Sequence, residues 1–349
     1  MIKLLRLLLL PFSVIYGIVV VLRNKLYDLG IFKSTQFDIP VICVGNLVVG
    51  GSGKSPVTEY LVTLLGDHKI AILSRGYGRG TKGFLYADET STAKSIGDEP
   101  LQFYHKFPQI TVAVCEDRVA GINRLKENHD IILLDDAYQH RRLRPGFSIL
   151  LFEFQKLQHI QLLLPAGNLR EPFWAYKRAD ILMVTKSPKQ ISARERAVCV
   201  DKFNGKDPFF SSIQYGDLLG LFTKDTLVSS SLKGKTIFLL TGIANPKPLL
   251  SYLKQFSTAI VHHDYPDHHT FSSQNLIKLL EAFNQHPEKE KIILTTEKDA
   301  QRLFDVTIKE LLLNLPVFYL PIRIAIEADR KKEFDQKILK YVSDTTRNR

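Results

Sequence analysis

Cysteine is scarce in this sequence, with three residues among 349, at positions 43, 115 and 199. They are too few and too far apart for a disulfide framework or a zinc site, and we interpret them as reduced core residues of a cytosolic protein. Aromatic residues interleaved with basic ones, and known nucleic-acid-binding modules, are lacking as well. The sequence therefore gives little support to a nucleic-acid partner, and it implies no protein partner. It contains no internal repeat and no low-complexity segment.

Basic residues outnumber acidic ones, 47 to 36, so that the formal net charge is +11 and the pI about 9.4. Such a balance suits an anionic partner, namely nucleic acid, acidic lipid or a phosphorylated substrate, and does not choose among them. The hydrophobic fraction of 45% and the charged fraction of 24% are those of a globular protein. The length is sufficient for two domains.

The N-terminal stretch Leu7 to Leu22 carries no charge but has only 16 residues, whereas a membrane-spanning helix needs about 20. Pro11 and Gly17 interrupt it, and a small-residue cleavage site typical of a signal peptide is not apparent after it. A spanning helix and a buried core helix remain as alternatives. We favour a helix that lies in the membrane interface, with flanking basic residues against acidic headgroups. The prediction is a membrane-associated segment over residues 1–33, with the chemistry on the cytoplasmic side.

A glycine-rich turn follows the apolar run 39–44 and precedes a helical pattern over 56–65. Strand, glycine turn, Lys54-Ser55 and helix are the layout of a phosphate-binding loop, in which backbone N–H groups, the lysine and the hydroxyl hold phosphates and Mg²⁺. The usual pattern has glycine where this chain has Val48, and a purely structural loop is the alternative. The strand before and the helix after favour phosphate binding. The candidate nucleotide-binding residues are Gly50, Gly51, Ser52, Gly53, Lys54 and Ser55.

A second apolar run, 131–134, ends in Asp135 and Asp136. A Mg²⁺-nucleotide site needs a carboxylate near the serine of the phosphate loop, which makes Ser55, Asp135 and Asp136 the candidate metal ligands. Side chains alternate along a strand, so we expect one of the two aspartates to face the metal directly. A solvated strand end is the alternative interpretation.

Four further stretches carry candidate functional groups. The loop 74–80, SRGYGRG, is either a ligand-contacting loop or a solvated basic turn. Asp98 and Glu99 precede a helical pattern, where a helix cap alone explains acidic residues, although a catalytic base is the alternative. Arg170 lies in a loop where a guanidinium could meet a transferring phosphoryl group. The histidine-rich stretch 262–269 lacks the spacing of common zinc sites and favours an acid/base histidine over a metal site.

The alternation of strands and helices up to about residue 220 predicts an α/β protein, with a mostly parallel sheet and helices on both faces. We assign residues 34–220 to this domain. A Ser- and Thr-rich stretch, 218–235, is interpreted as a linker region, and a second β/α series predicts a smaller α/β domain over residues 221–349. The basic C-terminal 20 residues are interpreted as a solvated end.

These motifs, in this order, resemble those of the tetraacyldisaccharide 4′-kinase family of lipid A biosynthesis. The resemblance covers nearly the whole chain, and its carriers are GNLVVGGSGKSP, LSRGYGRG, GDEP, ILLDDAYQHRRL, LPAGNLREP, GIANP, YPDHHTF and LTTEKDA. It implies a P-loop kinase of the transferase class, with the active site between two α/β domains. It further implies transfer of the γ-phosphate of MgATP to the 4′-hydroxyl of a lipid disaccharide 1-phosphate, at the cytoplasmic face of the bacterial inner membrane.

By the same resemblance, Lys54 and Ser55 contact ATP phosphates and Mg²⁺, and Asp135 and Asp136 match the acids of the metal site. Asp98 matches the family's catalytic base, which replaces the cap interpretation. His268 matches the histidine that pairs with this base, with the adjacent His269 as the alternative. Arg170 matches an arginine that assists phosphoryl transfer. Ala137 departs from the glycine that is frequent in the family. A P-loop ATPase or GTPase without a small-molecule acceptor is the alternative function.

Overall fold

The computed structural model describes residues 6–347, so residues 1–5 of the predicted membrane-associated segment and residues 348–349 lie outside it. Within residues 6–347 the strands are, in chain order, β1 (Val41–Asn46), β2 (Ile70–Ser74), β3 (Leu85–Tyr86), β4 (Thr111–Val114), β5 (Ile131–Asp135), β6 (Phe147–Glu153), β7 (Ile181–Thr185), β8 (Phe209–Tyr215), β9 (Leu218–Gly220), β10 (Thr226–Leu227), β11 (Thr236–Thr241), β12 (Ile260–Asp264), β13 (Lys291–Thr296), β14 (Val317–Leu320) and β15 (Ile322–Ile326).

The α-helices of the same range are α1 (Leu10–Asp28), α2 (Lys54–Leu64), α3 (Ala93–Ile96), α4 (Asp98–Lys106), α5 (Arg118–Leu125), α6 (Phe154–Leu157), α7 (Ala193–Lys202), α8 (Lys247–Leu253), α9 (Ser273–Gln285), α10 (Glu297–Leu303), α11 (Val306–Lys309) and α12 (Lys331–Arg347). Short 3-10 helices cover Phe173–Arg178 and Ser229–Leu232.

The first sheet has the strand order β15-β8-β7-β6-β1-β5-β2-β4-β3. All its neighbours are parallel except the two edge strands, β3 and β15, which pair antiparallel with β4 and β8. Strand β1 lies between β5 and β6, where the connections diverge towards the two edges. In open parallel sheets, ligands bind beyond the carboxyl ends of the strands at such a point. The sheet therefore places the loop after β1 at the natural ligand-binding position.

The core of the first sheet explains why β1 is apolar along its whole length. Val41 and Cys43 pack on one face with residues of α5 and α7. Ile42 and Val44 pack on the other face with residues of α2, α4 and α12. Because successive side chains of a strand point to opposite faces, a strand covered by helices on both sides must be apolar throughout. The α/β prediction, with helices on both faces, is confirmed, and the three cysteines are buried free thiols.

The second sheet has the order β10-β9-β14-β13-β11-β12. Its central strands are parallel, and β9 and β10 add an antiparallel edge. The stretch 218–235, interpreted from the sequence as a linker, therefore contains two strands of this sheet. Strands of three and two residues are too short to give an alternating pattern, which is why the sequence did not reveal them.

The end of the described chain returns to the first sheet. Strand β15 pairs with β8, and helix α12 buries Phe334, Ile338 and Val342 against the core of the first sheet. Residues 322–347 thus lie with the first unit instead of the smaller domain, and the basic C-terminal segment is not a solvated end. Its apolar residues recur every four positions, which places them on one face of a helix, while lysines and arginines occupy the other face. We accordingly divide the chain into a first unit, 41–215 with 322–347, and a second unit, 218–320.

Helix α1 lies with one side against the first unit. Ser13 Oγ donates a hydrogen bond to the carbonyl of Leu163 (3.1 Å), and the Tyr16 hydroxyl donates to the carbonyl of Arg170 (2.8 Å). The other side is exposed, so the alternative of a buried core helix is excluded. The exposed large apolar residues of this segment are Leu7, Leu8, Leu9, Leu10, Phe12, Val14, Ile15, Ile18, Val19, Val21 and Leu22.

Candidate active site

The phosphate loop connects β1 to α2, and its glycines take the conformations that the turn requires. Gly50 and Gly53 have φ of 99° and 83°, values that residues with a Cβ atom rarely adopt. Gly53 caps the N-terminus of α2, so the first helical residues are Lys54 and Ser55, two positions earlier than predicted. Val48, which occupies the usual glycine position, is buried in the core. The loop therefore makes its left-handed turn at Gly50 instead.

Polar side chains brace the loop from beneath. The amide of Asn46 donates to Ser52 Oγ (2.6 Å). Thr185, at the end of β7, donates to the carbonyl of Ser52 (2.7 Å). Lys186 donates to the carbonyl of Gly51 (2.6 Å). These bonds hold the loop open at the carboxyl edge of the sheet, in the form of an anion-binding concavity at a helix N-terminus.

Asp136, which follows β5, is held by two cations. Arg170 donates to its two carboxylate oxygens from Nη1 (3.1 Å) and Nη2 (2.9 Å), and Lys54 Nζ lies 3.7 Å from Oδ2. Burial raises the pKa of this carboxyl, but the charges of Lys54 and Arg170 outweigh burial and hold the pKa below its ordinary value. Arg170 also donates to the Asn46 side chain and to the carbonyl of Val48 (3.1 Å). The structure thus brings Lys54, Asp136 and Arg170 together beside the loop.

Asp135 has a different environment, although it is the adjacent residue. Its side chain is buried, its Oδ1 has no hydrogen-bond partner among the described residues, and Ser74 Oγ lies 3.5 Å from Oδ2. Burial raises the pKa of this carboxyl to about 8, and the charges of Glu99 and Asp136 add to the effect, while Lys54 opposes it. A buried carboxylate with an unpaired oxygen beside other carboxylates fits a divalent cation, which would compensate these charges. The two aspartates therefore differ: both oxygens of Asp136 accept from Arg170, whereas Asp135 has an oxygen without a hydrogen-bond partner among the described residues.

Asp98 is the first residue of α4, but its carboxylate does not cap the helix. Gly97 occupies the cap position without a side-chain cap bond. Oδ2 of Asp98 instead accepts hydrogen bonds from His268 Nδ1 (3.0 Å) and from Arg302 Nε (2.9 Å) and Nη2 (2.7 Å). Both partners belong to the second unit, so the carboxylate lies where the two units meet. The cap interpretation of this side chain is wrong, because its hydrogen bonds among the described residues go to His268 and Arg302 instead of the helix backbone.

His268, and not His269, is the histidine at this carboxylate. Lys298 Nζ lies 3.1 Å from His268 Nε2. Since an ammonium can only donate, Nε2 accepts, and we assign the ring proton to Nδ1, which donates to Asp98. His269 Nε2 contacts Asn275 Oδ1 (2.9 Å), and its ring stacks on another aromatic side chain, that of Tyr265.

His262, in the same stretch, contacts a residue outside it. His262 Nε2 lies 2.8 Å from Thr241 Oγ1. Among the described residues no group of three or more His, Cys, Asp or Glu side chains is arranged for a metal ion. The preference for an acid/base histidine over a metal site in this stretch therefore rests on His268 beside Asp98.

Sequence reasoning missed the role of α10. Arg302 has 5% of its side chain exposed and pairs with Asp98 and with Asp299. Burial raises the pKa of Asp98, but the hydrogen bonds from His268 and Arg302 outweigh it and lower the pKa to about 2. Lys298 and Arg302 are four positions apart in the sequence, a spacing that puts both on one face of a helix. This four-residue spacing was the feature of the sequence from which a positively charged face of α10 could have been predicted.

Two contacts join the Asp98 group to the phosphate loop. Ser55 Oγ donates to Glu99 Oε1 (3.2 Å), and Lys298 Nζ lies 3.8 Å from the same oxygen. In the loop 74–80, the exposed ring of Tyr77 lies 5.5 Å from the ring of His268, between centroids. Arg79 pairs with Glu116 (2.5 Å) and so has a structural role. The site can therefore hold phosphates on one side and accept a proton on the other.

A sequence profile of the family "Tetraacyldisaccharide-1-P 4′-kinase" matches residues 5–343 of this chain. The tetraacyldisaccharide 4′-kinase of Bacteroides thetaiotaomicron is 43% identical, over 97% of this chain and 93% of its own length. That of Flavobacterium psychrophilum is 44% identical, over 99% of both chains. A crystal structure of LpxK from Aquifex aeolicus in complex with ATP superposes with a TM-score of 0.75 at 32% identity, covering 97% of this chain and 99% of the other.

Proposed function

The chain belongs to the tetraacyldisaccharide-1-P 4′-kinase family, and from this premise we propose that it transfers the γ-phosphate of MgATP to the 4′-hydroxyl of tetraacyldisaccharide 1-phosphate, a lipid A precursor. The observation that carries the proposal is the meeting of Asp98 with His268 and Arg302 beside the phosphate loop. A carboxylate held there by the second unit is suited to an acceptor hydroxyl that enters between the units. A nucleotide switch without an acceptor has no need of such a group.

The nucleotide side of the reaction depends on the phosphate loop. Lys54 and the backbone N–H groups from Gly50 to Ser55 would bind the β- and γ-phosphates, and Arg170 would stabilise the transferring group. Lys54 and Arg170 now share Asp136, so both cations are held in place before the phosphates arrive. Preorganised charge of this kind costs no reorganisation during transfer.

Ser55, Asp135 and Asp136 would hold Mg²⁺, which supplies charge neutralisation at the phosphates when bound. The buried Oδ1 of Asp135 is without a hydrogen-bond partner among the described residues and would serve as the direct ligand. Asp136, which already accepts from Arg170, would act from the outer coordination sphere. The hydroxyl of Ser55 would exchange its contact with Glu99 for the metal.

Asp98 would accept the proton of the sugar hydroxyl. Its three hydrogen bonds all end on Oδ2, and within residues 6–347 the structure gives Oδ1 no such bond. Oδ1 would therefore receive the hydroxyl, while His268 and Arg302 fix the orientation of the carboxylate. With a pKa near 2 Asp98 is a weak base, which suits the loose transition state of phosphoryl transfer, where positioning matters more than proton abstraction.

The protein would bind its acceptor at the membrane surface, where the acyl chains of the lipid are anchored. Helix α1 is long and apolar enough to cross a bilayer, yet one side is hydrogen-bonded to the first unit through Ser13 and Tyr16. We therefore favour α1 lying in the interface of the inner membrane, on the cytoplasmic face, with its exposed apolar side in the acyl region. In this arrangement the active site would lie beside the lipid, because Tyr16 of α1 donates to the carbonyl of Arg170.

The proposal is tested with ATP radiolabelled in its γ-phosphate and tetraacyldisaccharide 1-phosphate in detergent micelles. We expect a labelled bisphosphorylated lipid that requires Mg²⁺. The Lys54→Ala variant should lose the product, whereas Lys337→Ala, at an exposed lysine of α12, should keep it. An acceptor with its 4′-hydroxyl blocked should remain unlabelled. Release of free phosphate at the same rate without any lipid would instead identify a nucleotide hydrolase and refute the acceptor.

A further inference from the structure

A buried ion cluster joins the helix of the phosphate loop to the second unit. Lys106 is the last residue of α4, and its Nζ lies 2.7 Å from Glu59 Oε2 and 2.7 Å from Glu297 Oε1. Glu59 belongs to α2, and Glu297 is the first residue of α10. The side chain of Lys106, at the end of α4, therefore connects three helices. These are α2, which contains Lys54, α4, which begins with Asp98, and α10, which contains Arg302. We call Lys106, Glu59 and Glu297 the Lys106 cluster.

The two carboxylates of the cluster are shielded from solvent, with 6% of the Glu59 side chain and 7% of the Glu297 side chain exposed. Gln102, one turn earlier on α4, donates to Glu59 Oε1 (2.7 Å). Ion pairs that are buried and hydrogen-bonded in this way are strongly destabilised when one partner is removed, because the remaining charge is left without compensation. Lys106 is the cation that both carboxylates share, so its loss would leave two buried like charges facing each other.

A second contact lies beside the cluster, in the same interface between α4 and α10. His105 Nδ1 is 2.8 Å from Gln301 Oε1, and the His105 ring packs edge-on against Phe304, 5.2 Å between centroids. Asp98 begins α4 and Lys106 ends it, about 12 Å away at 1.5 Å per helical residue. The helix therefore meets α10 at both ends, through Arg302 at the first and through Glu297 at the last.

We infer that Lys106 is a positioning residue of the reaction, which holds α10 against α2 and α4 so that Arg302 and Lys298 reach Asp98 and His268. The inference rests on the kinase function proposed above and extends it to a residue that contacts neither nucleotide nor acceptor. Lys106 acts at a distance because Glu297 and Arg302 belong to the same short helix, α10. Displacement of its first residue moves the guanidinium of Arg302, five residues further on, away from Oδ2 of Asp98.

This geometry predicts a separation of kinetic constants. The groups proposed to bind ATP belong to the first unit. Among the hydrogen bonds and ion pairs of residues 6–347, they connect to α10 only through Ser55, Glu99 and Lys298. Loss of the Lys106 cluster should therefore lower kcat and leave the KM for ATP nearly unchanged. A loss of folded protein alone would lower the apparent kcat only in proportion to the missing active sites.

The experiment compares Lys106→Met with Lys106→Arg in the micelle assay, with active sites counted by ATP-binding titration. Lys337→Met serves as the control, because Lys337 is half exposed and forms an ion pair with Glu333 of its own helix. We expect Lys106→Met to lower kcat per active site by roughly 10- to 100-fold, the scale of a misplacement of about 1 Å, with KM for ATP changed by less than about threefold. Lys106→Arg should restore most of kcat, and Lys337→Met should match the wild type.

A second measurement does not depend on the reaction. Hydrogen exchange of the full chain without substrates should show faster exchange of the α10 amides in Lys106→Met, with the α2 amides unchanged. Wild-type kcat per active site in Lys106→Met, or unchanged exchange in α10, would overturn the inference. If the wild type labels no lipid, the proposed function fails, while the exchange experiment still decides whether Lys106 holds α10.

Discussion

Replacement of Arg302 by methionine tests the electrostatic environment of Asp98. Arg302 donates two hydrogen bonds to Oδ2, and only 12% of the Asp98 side chain is exposed. The pKa of Asp98 falls from an ordinary 3.8 to about 2, and a shift of about two pH units corresponds to roughly 2–3 kcal/mol. Because the pKa is lower in the folded protein, this stabilisation is present above pH 3.8 and is lost as the pH falls towards 2.

Burial raises the pKa of Asp98, and in the absence of Arg302 the groups left to lower it are His268 and Lys298. The pKa of Asp98 should therefore rise. The decrease of kcat at low pH, which reports protonation of Asp98, should then shift to higher pH and into the assayed range of pH 5 to 9. In the wild type, Asp98 should impose no acid limb above pH 5, since its pKa is about 2. Removal of one partner of a buried pair should also cost about 3–5 kcal/mol of stability.

The assay is a series of kcat measurements between pH 5 and 9, normalised to ATP-binding sites, with melting temperatures recorded at each pH. Arg302→Lys should lie between the wild type and Arg302→Met, because a lysine keeps the charge but not the two-pronged bond. Arg330→Met is the matched control, since Arg330 likewise pairs with two carboxylates, those of Asp207 and Glu333, and both belong to the first unit. An Arg302→Met enzyme with full kcat and an unmoved acid limb would refute the role assigned to the guanidinium.

Three other predictions follow from the site and from α1. His268→Ala should lower kcat by roughly a hundredfold or more, whereas His269→Ala, which loses contacts to Asn275 and Tyr265, should lower it far less; equal losses would contradict the assignment. Burial raises the pKa of Asp135 above its ordinary value of 3.8, so the metal-free protein should lose stability as the pH rises above 3.8. The Asp135→Asn variant should lack this contribution to the pH dependence and should not gain melting temperature when Mg²⁺ is added. If Mg²⁺ still raises its melting temperature, Asp135 is not the ligand. Phe12→Asp with Ile15→Asp, on the exposed side of α1, should weaken co-sedimentation with lipid vesicles without changing the melting temperature, while Val228→Asp, equally exposed on the second unit, should change neither.

The parts of the fold that the sequence revealed are those governed by local pattern. The run 131–134 could be interpreted as a strand covered on both faces because nothing polar interrupts it, and β5 has these bounds with Asp135 added. The turn around Gly50 and Gly53 was recognisable because left-handed backbone requires glycine. The sequence did not indicate why valine stands at position 48 instead of glycine, because only the folded structure shows that this side chain packs in the core.

The contacts between distant segments could not be derived from local pattern. Asp98 and Arg302 are 204 positions apart, and an acidic residue at a helix start is explained equally well by the helix dipole. The resemblance to a family supplied the pairing of Asp98 with His268, but not the part played by Arg302 or Lys106. Likewise, β15 follows β14 almost directly, and nothing in the sequence indicates that it changes sheet.

The return of β15 and α12 to the first sheet has a consequence for biosynthesis. Residues 41–215 leave the ribosome before the whole of the second unit, but the edge of β8 and the apolar surface later covered by Phe334 and Ile338 remain exposed until residues 322–347 have been translated. The nucleotide-binding unit therefore completes its fold after the unit inserted into it. A chain truncated after β14 would keep every strand of the second sheet, but it would lack β15 and α12, the edge strand and one covering helix of the first sheet. A stop codon directly after β14 should thus impair nucleotide binding while leaving the second unit folded.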